Sequence, residues 1–321
     1  MPTNLEKTIV QRRRSQGVIR PLLEELFRNP VRVENQDDID FINVTAQKMA
    51  LREQQRDSNL VFSPSGLASC MRRVYLGRHW KDLGLERIDL HNVQAHGIFT
   101  EGDFRHLQYH FYMWKLNQKL PNKFILVDLE VPVISKRKDH GGTVDCIAYL
   151  IEHEATVVVD YKGWNVRNFQ AAINSLPHSP RIQVTDYMML LNAGSWTFPD
   201  ELRETINSNG LDVPNRISDG FILSFNKGGP DPKHPLALHE HYVSLSDNLP
   251  EVKIRLGVLR NHEREKEIPN PECTSTKTQV FQDCPFAGFC LEEVRQAERR
   301  KARSSNTNKL KVSRPKRNNR S

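Results

Sequence analysis

An aspartate and a lysine stand two residues apart at the end of a valine-rich run, VVVDYKG, at residues 157–163. Side chains alternate along a β-strand, so Asp160 and Lys162 should point to the same face of a sheet. The pair is either an ion pair at a strand end or two parts of one reactive site. A carboxylate that holds a cation, next to an ammonium that stabilises developing negative charge, would suit hydrolysis of a phosphodiester.

A second carboxylate, Asp145, lies in the preceding predicted strand, fifteen residues before Asp160 in the segment GGTVDCIAY. A hairpin of that length can bring both carboxylates to one end of a sheet. Two adjacent carboxylates repel each other unless a cation lies between them, and oxygen-rich sites suit Mg²⁺ or Mn²⁺. The alternative is that Asp160 and Lys162 form a surface salt bridge and that Asp145 is an unrelated turn aspartate. The spacing and the strand context favour a metal-dependent nuclease.

The elements that must position these residues are predicted in the order helices, strands, helices. The predicted strands cover 123–134, 143–151, 155–163, 220–225 and 237–245. The short connection IEHEA predicts a hairpin between the second and third strands. Predicted helices cover 62–80, 96–116, 180–193 and about 247–266. This order indicates an α/β protein of the α+β kind, with a central mixed β-sheet flanked by helices.

Two local features of the chain complete this prediction. Ser65 is the expected cap of the helix that follows it, and residues 194–216 are predicted as loop. The resulting organisation is an N-terminal helical region at 1–57, a catalytic domain at 58–298 and a basic tail at 299–321.

The charge of the chain is concentrated at its C-terminus. The formal net charge is +7, and residues 299–321 hold ten Lys or Arg but no Asp or Glu. Such a tail indicates either a polyanionic partner or a solvated disordered end. No apolar run approaches the roughly 20 residues of a membrane span, and the N-terminus has no signal-peptide core. We therefore expect a cytoplasmic, soluble protein without membrane contacts.

Four short motifs, taken in order, resemble the RecB-like branch of the PD-(D/E)xK nuclease superfamily. VDCIAY and VVDYKG resemble the core strands of the superfamily. GDFRH and QVTDY resemble the G-x-x-x-H and Q-x-x-x-Y motifs of the branch. The resemblance covers about residues 62–190 and implies a restriction-endonuclease-like core that cleaves DNA with Mg²⁺ or Mn²⁺.

The resemblance also implies a role for each matching residue. His106, Asp145 and Asp160 would bind the metal ion, and both aspartates would thereby be catalytic. Some branches of the superfamily use a glutamate on the helix of the histidine, which makes Glu101 an alternative ligand. The spacing from Gly102 favours His106.

Three further residues acquire catalytic roles from the same resemblance. Lys162 would be the catalytic lysine. Gln183 and Tyr187, four residues apart on the helix after the lysine strand, would position the substrate strand or support the lysine.

The five cysteines of the chain suggest ligation rather than disulfide bonding, because an odd number in an intracellular chain argues against a disulfide framework. Three of them cluster near the C-terminus and one lies far upstream. Cys146 follows Asp145 directly on a strand and is predicted to be a small core residue.

The remaining cysteines resemble those of the iron–sulfur members of this branch, which include CRISPR-associated spacer-acquisition exonucleases and the AddB nuclease domain. CPFAGFC matches their C-P-[FY]-x-x-x-C pattern. Phe281 stands where a cysteine is usual, so Cys273 is the nearest candidate for that position. The implied 4Fe–4S ligands are Cys70, Cys273, Cys284 and Cys290. A structural zinc site and unligated thiols are the alternatives.

The substrate and partners are expected from the same resemblance. It implies a single-strand exonuclease acting on DNA ends in recombination, repair, phage replication or CRISPR adaptation. Arg72 and Arg73 either contact DNA phosphates or form a solvated helix face. The chain lacks a G-x-x-x-x-G-K-[ST] phosphate loop, so any unwinding would need a helicase or another recombination or CRISPR partner. The alternatives are a binding or accessory subunit that does not cleave, and an endonuclease of the same superfamily.

Overall fold

The computed structural model describes Leu5 and residues 17–54, 62–86, 93–229, 237–273, 275–282 and 284–312. Side chains are described there except at 52–54, 93–100, 279–280 and 301–312.

A five-stranded mixed sheet forms the centre of the fold. Its strands are β1 (Phe124–Ile134), β2 (Gly141–Leu150), β3 (Ala155–Trp164), β4 (Asp219–Asn226) and β5 (Leu238–Ser244). They lie in the order β1-β2-β3-β4-β5. The β3–β4 pair is parallel and the other three pairs are antiparallel. The five predicted strands, the β2–β3 hairpin and the mixed sheet flanked by helices are thereby confirmed.

Helices precede, interrupt and follow the strands. They are α1 (Ile19–Leu26), α2 (Gln36–Gln54), α3 (Pro64–Leu67), α4 (Met71–His79), α5 (Val93–Lys119), α6 (Val166–Asn174), α7 (His178–Leu190), α8 (Asp200–Ser208), α9 (Leu245–Glu265), α10 (Gln279–Gln282) and α11 (Ala287–Val312).

Three local predictions differ from the structure. The region 62–80 forms two helices, and Ser63 rather than Ser65 caps α3, since its side chain accepts the Gly66 N–H. The segment 194–216, predicted as loop, contains α8, whose first turn holds two acidic residues that favour a helix N-terminus. The basic tail begins as helix, because α11 continues to Val312.

Contacts divide the chain into two units, residues 1–68 with 93–256 and residues 69–92 with 257–321. The first unit holds the sheet, and helices α1 and α2 belong to it instead of forming a separate region. Residues of α1 and α5 pack on one sheet face, against Val157 and Val159 among others. Residues of α7 pack on the opposite face, against Val158 and Ile222. The sheet is therefore the middle of three layers.

Helix α7 approaches the sheet closely because a glycine lies beneath it. A Cβ atom built on Gly220 would lie 2.5 Å from Val184 Cγ1, well inside van der Waals contact. Val184, Tyr187 and Met188 are buried at this interface. The approach sets the height of Gln183 and Tyr187 above the strands.

The second unit has two small apolar clusters of its own. Tyr75 and Leu76 of α4 pack with Phe286, and Phe281 packs with Cys290 and Val294. Within the described ranges, none of the helices combines the length and the apolar character needed to cross a membrane.

Candidate active site

A groove of about 910 Å³ opens in the first unit, between α2, β1, β2 and α7. Five residues that the sequence singled out line it: His106, Asp145, Lys162, Gln183 and Tyr187. Segments far apart in the chain thus converge on one concave surface, as expected of a binding or catalytic site.

Asp160 is buried on β3, two residues before Lys162, which lines the groove, and its carboxylate pairs with that lysine. Lys162 Nζ is 2.7 Å from Asp160 Oδ2, so the two side chains share a strand face as predicted. Cys146 lies opposite Val159 in the antiparallel β2–β3 pair. One residue earlier on β2 and one residue later on β3, the same register places Asp145 opposite Asp160. The hairpin therefore places both carboxylates at one end of the sheet.

Burial and charge perturb Asp160 strongly. Burial, reinforced by the Asp145 carboxylate, raises the pKa of Asp160 to about 6, although Lys162 and His106 oppose the rise. Its side chain is 1% exposed. Apart from the ion pair with Lys162, neither Asp160 oxygen has a hydrogen-bond partner in the described part of the chain. A buried carboxylate without donors is costly, and a bound cation would relieve that cost.

Asp145 is held in a defined orientation next to His106. Its Oδ2 accepts the Tyr161 backbone N–H at 2.9 Å, and its Oδ1 lies 3.7 Å from His106 Nδ1. Burial acts to raise the pKa of Asp145, but the nearby charges of His106 and Lys162 and the Tyr161 amide lower it below its usual range. Because the amide fixes one oxygen, the other is presented towards the histidine.

Glu130 on β1 is a site residue that the sequence analysis missed. Its side chain is 1% exposed, and its Oε1 lies 2.9 Å from His110 Nε2. Ligating atoms of His106, Glu130 and Asp145 all lie within 4.8 Å of one another. Only an acidic residue inside the apolar run FILVDLEVPVI could have signalled it, and that run also contains Asp128.

The backbone of Glu130 is unusual as well. Its φ is +51°, in the left-handed region, which costs a residue with a Cβ atom roughly 1–2 kcal/mol. Such conformations concentrate at functional sites, where the surrounding structure enforces them. Here the distortion accompanies a carboxylate turned towards two histidines of α5.

Gln183 and Tyr187 lie one helical turn apart on α7 and contact each other. Gln183 Nε2 donates to Tyr187 Oη at 3.0 Å. Burial, together with the Asp160 and Asp145 carboxylates, raises the pKa of Tyr187 well above its usual value. The phenol is therefore neutral near pH 7 and can serve as a hydrogen-bond donor beside the carboxylates.

Glu101, the alternative ligand, lies away from the groove lining. Its carboxylate is 3.6 Å from Lys227 Nζ and its side chain is 43% exposed. His106, by contrast, lines the groove and faces Asp145. The geometry favours the histidine.

The four cysteines that were assigned together from the resemblance are neighbours in the second unit. Burial raises the pKa of Cys273, and Cys70 and Cys284 add to the rise. Burial likewise raises the pKa of Cys290 to about 11, with contributions from Cys284 and Cys70. Cys146 lies elsewhere, fully buried in the core of the first unit, which confirms its predicted core role.

No three of these sulfurs form a compact group of candidate ligands in the described part of the chain. Among the described residues, only His106, Glu130 and Asp145 form a group of three or more candidate ligands with all ligating atoms within 4.8 Å. Zinc–sulfur bonds of about 2.3 Å place the sulfurs of a tetrahedral site about 3.8 Å apart. No three of the four sulfurs are gathered that tightly.

The two arginines of α4 have different surroundings. Arg72 makes a bidentate ion pair with Glu293 at 2.6 and 2.8 Å, and its side chain is 6% exposed. Its guanidinium edge therefore already has a partner within the protein. Arg73 is half-buried, and its contact with DNA stays a prediction.

Comparisons with known proteins give only distant similarity to solved structures. No family model and no curated protein matches the chain. A solved structure, described as the crystal structure of SSO0001, matches 77% of this chain and 95% of its own, at 14% sequence identity and a TM-score of 0.41. A likeness this distant says nothing about the residues of the site.

Proposed function

We propose that this chain is a metal-dependent phosphodiesterase, a DNA nuclease whose reaction takes place at the Asp160 end of the groove. The observation that carries the proposal is the buried Asp160 carboxylate, for which the Lys162 ammonium is the one hydrogen-bond donor among the described residues. Asp145 and His106 stand beside it. A structural salt bridge would need neither a second buried carboxylate nor a histidine facing it.

The donor set fits a hard divalent cation. Asp145, Asp160 and Glu130 supply carboxylate oxygens. His106 supplies its ring nitrogen Nδ1, which has no hydrogen-bond partner among the described residues. This mixture suits Mg²⁺ or Mn²⁺. A bound ion would supply Lewis acidity and an activated water for attack on phosphorus.

The protein side chains would bind and orient the phosphate. The Lys162 ammonium borders the groove, where it can donate to a phosphate oxygen and stabilise negative charge that develops there. The neutral Tyr187 phenol, held by Gln183, supplies a second donor. His110 fixes the carboxylate of Glu130 through their hydrogen bond, as outer residues commonly do for metal ligands.

The groove beyond the catalytic end suits an unpaired strand. Its lining includes the apolar residues Leu51, Phe62, Pro64 and Pro132. Unpaired bases expose apolar faces that can contact such a surface. Exonuclease action on single-stranded DNA ends follows from the resemblance to RecB-like nucleases and forms part of the proposal.

We propose further that Cys70, Cys273, Cys284 and Cys290 hold a 4Fe–4S cluster in the second unit. Their mutual electrostatic influence supports a common ligand group. A 4Fe–4S cluster needs four thiolates, each of which binds a different iron, and these four cysteines supply that number.

The test uses anaerobically purified protein, Mn²⁺ and three substrates: end-labelled linear single-stranded DNA, matching linear RNA and closed circular single-stranded DNA, which has no ends. Loss of the linear DNA alone would support a DNA exonuclease, whereas opening of the circle would make the protein an endonuclease. Lys162→Ala should abolish cleavage, and Lys253→Ala, an exposed lysine on α9, is the matched control. Binding without cleavage by the wild type would favour an accessory subunit.

A further inference from the structure

We propose that Arg72 balances the charge of the four-cysteine group, with its Nε–H donating to a sulfur of the group when the cluster is bound. This inference rests on the proposed cluster and adds a positioning and tuning residue to it. It replaces the earlier expectation that Arg72 contacts DNA.

The placement of Arg72 ties together the two segments that carry the cysteines. Arg72 follows Cys70 by two residues at the start of α4. Its partner Glu293 lies three residues after Cys290 on α11, one helical turn away. The ion pair therefore joins the upstream cysteine to the downstream pair within the second unit.

One nitrogen of Arg72 remains unpaired in this arrangement. The two terminal nitrogens donate to Glu293, and the Phe289 ring centroid lies 5.0 Å from the guanidinium carbon. Nε is buried and has no hydrogen-bond partner among the described residues. Buried donors are rarely left unpaired, and an orphan inside a metal-binding cluster points to a ligand that completes it.

Two of the four cysteines lie close enough to Arg72 for their charge to affect it. The hydrogen bond to Glu293 raises the pKa of Arg72 most, burial opposes the rise, and the charges of Cys290, Glu293 and Cys70 add to it. Four thiolates around a cluster give a net negative charge in a half-buried site, and a nearby cation offsets it. Hydrogen bonds to the sulfurs and local charge are known to set the reduction potential of such clusters.

The direction of the effect follows from charge. Reduction adds an electron to an already negative group, so a buried cation and a donated N–H favour the reduced form. Removing Arg72 should make the cluster harder to reduce. Neutralising Glu293 removes a negative charge beside Arg72 and should act in the opposite direction.

The test is a redox titration of the full-length protein after anaerobic reconstitution, with iron and sulfide content measured first. At a fixed applied potential, Arg72→Gln should lower the ratio of reduced to oxidised cluster roughly tenfold, as expected for loss of one charge-assisted hydrogen bond. Glu293→Gln should raise that ratio, Arg72→Lys should lie between wild type and Arg72→Gln, and Arg73→Gln should match wild type.

The outcomes separate this inference from the proposed cluster. A wild-type protein without iron and sulfide would overturn both. A wild-type protein with a cluster, but with identical titration curves for Arg72→Gln, Glu293→Gln and wild type, would overturn the role of Arg72 alone. If Arg72→Gln does not fold, the upward shift in Glu293→Gln still tests the charge argument, since a purely structural ion pair predicts no shift of that sign.

Discussion

At the scale of single residues, Glu130 is the side chain whose role is most sharply testable. It lies in the only close group of candidate ligands among the described residues, and a glutamine there would keep the shape but lose the charge. Glu130→Gln should weaken Mn²⁺ binding roughly tenfold or more, measured by titrating free Mn²⁺ with electron paramagnetic resonance. Glu201→Gln, exposed on α8, is the control. Equal affinity in the two variants would exclude Glu130 as a ligand.

Lys48 makes a second prediction at this scale, because it lines the groove on α2 far from Lys162 in sequence. Its ammonium is held only loosely, 3.5 Å from Asp128 Oδ1, and its side chain is 49% exposed. We expect Lys48→Gln to raise KM for single-stranded DNA and leave kcat nearly unchanged, since a phosphate contact contributes to uniform binding. An unchanged KM, as expected for the Lys253→Gln control, would contradict this.

The site residues differ in how far the sequence could predict them. Asp145, Asp160 and Lys162 were readable because strand alternation and hairpin length fix their relation. Glu130 could not be predicted in this way. Its carboxylate is oriented by a left-handed backbone conformation and by a hydrogen bond to His110, and neither feature produces a pattern in the local sequence. The internal ion pair of Arg72 was equally unreadable, because its partner lies 221 residues away.

At the scale of elements, the contact between α7 and the sheet controls the site. An alanine at position 220 would place Cβ 2.5 Å from Val184 Cγ1 and push α7 outward, which moves Gln183 and Tyr187. Gly220→Ala should lower the free energy of unfolding by about 1–3 kcal/mol, measured by urea denaturation, and lower kcat. Gly257→Ala on α9, with nothing within 4 Å of its Cβ, is the matched control. Equal stability would mean that the interface adjusts without cost.

A buried carboxylate on the edge strand attaches α1 to the sheet. Glu240 on β5 is 6% exposed and accepts the backbone N–H groups of Val18 and Arg20. Gly17 precedes them with φ +67°, and a Cβ there would lie 2.8 Å from the Glu240 carboxyl. Burial raises the pKa of Glu240 to about 7, although the amides oppose it.

This attachment predicts a dependence of stability on pH. The folded pKa of about 7 lies above the usual 4.5, so the folded protein binds the proton more tightly than the unfolded chain. The stabilisation is complete below about pH 4.5 and is lost as the pH rises through 7, by about 3 kcal/mol. Urea unfolding between pH 5 and 8 should show this loss in wild type and a smaller one in Glu240→Gln. Identical pH profiles would contradict the assignment.

Elements were predicted better than their ends and caps. The strands followed from β-branched runs bounded by turns, and the hairpin followed from a short connection. The division of 62–80 into α3 and α4 was missed, because Ser63 and Ser65 offer similar local signals and only the Gly66 hydrogen bond distinguishes them. Helix α8 was missed because its apolar positions pack on Tyr149 from another element.

At the scale of the whole molecule, charge is divided sharply along the chain. Residues 299–321 hold ten of the 46 basic side chains, so the rest carries 36 basic and 39 acidic ones. Removing the tail therefore changes the net charge from +7 to −3. Such a change weakens the attraction of the protein to any polyanion and leaves the amino acids that line the groove unchanged.

A chain ending at Glu298 should therefore cleave a short oligonucleotide at the wild-type rate but bind long single-stranded DNA more weakly. Each lost phosphate contact should also make the negative slope of log K against log salt shallower by about 0.7, measured by fluorescence anisotropy at several NaCl concentrations. A full-length variant with all ten basic tail residues changed to glutamine is the control, because it removes charge but keeps length. If that variant binds like wild type while the truncated chain does not, the tail acts through its length or helix instead of its charge. Equal affinity and slope in all three proteins would exclude the tail from DNA binding and leave a partner protein as its remaining polyanionic target.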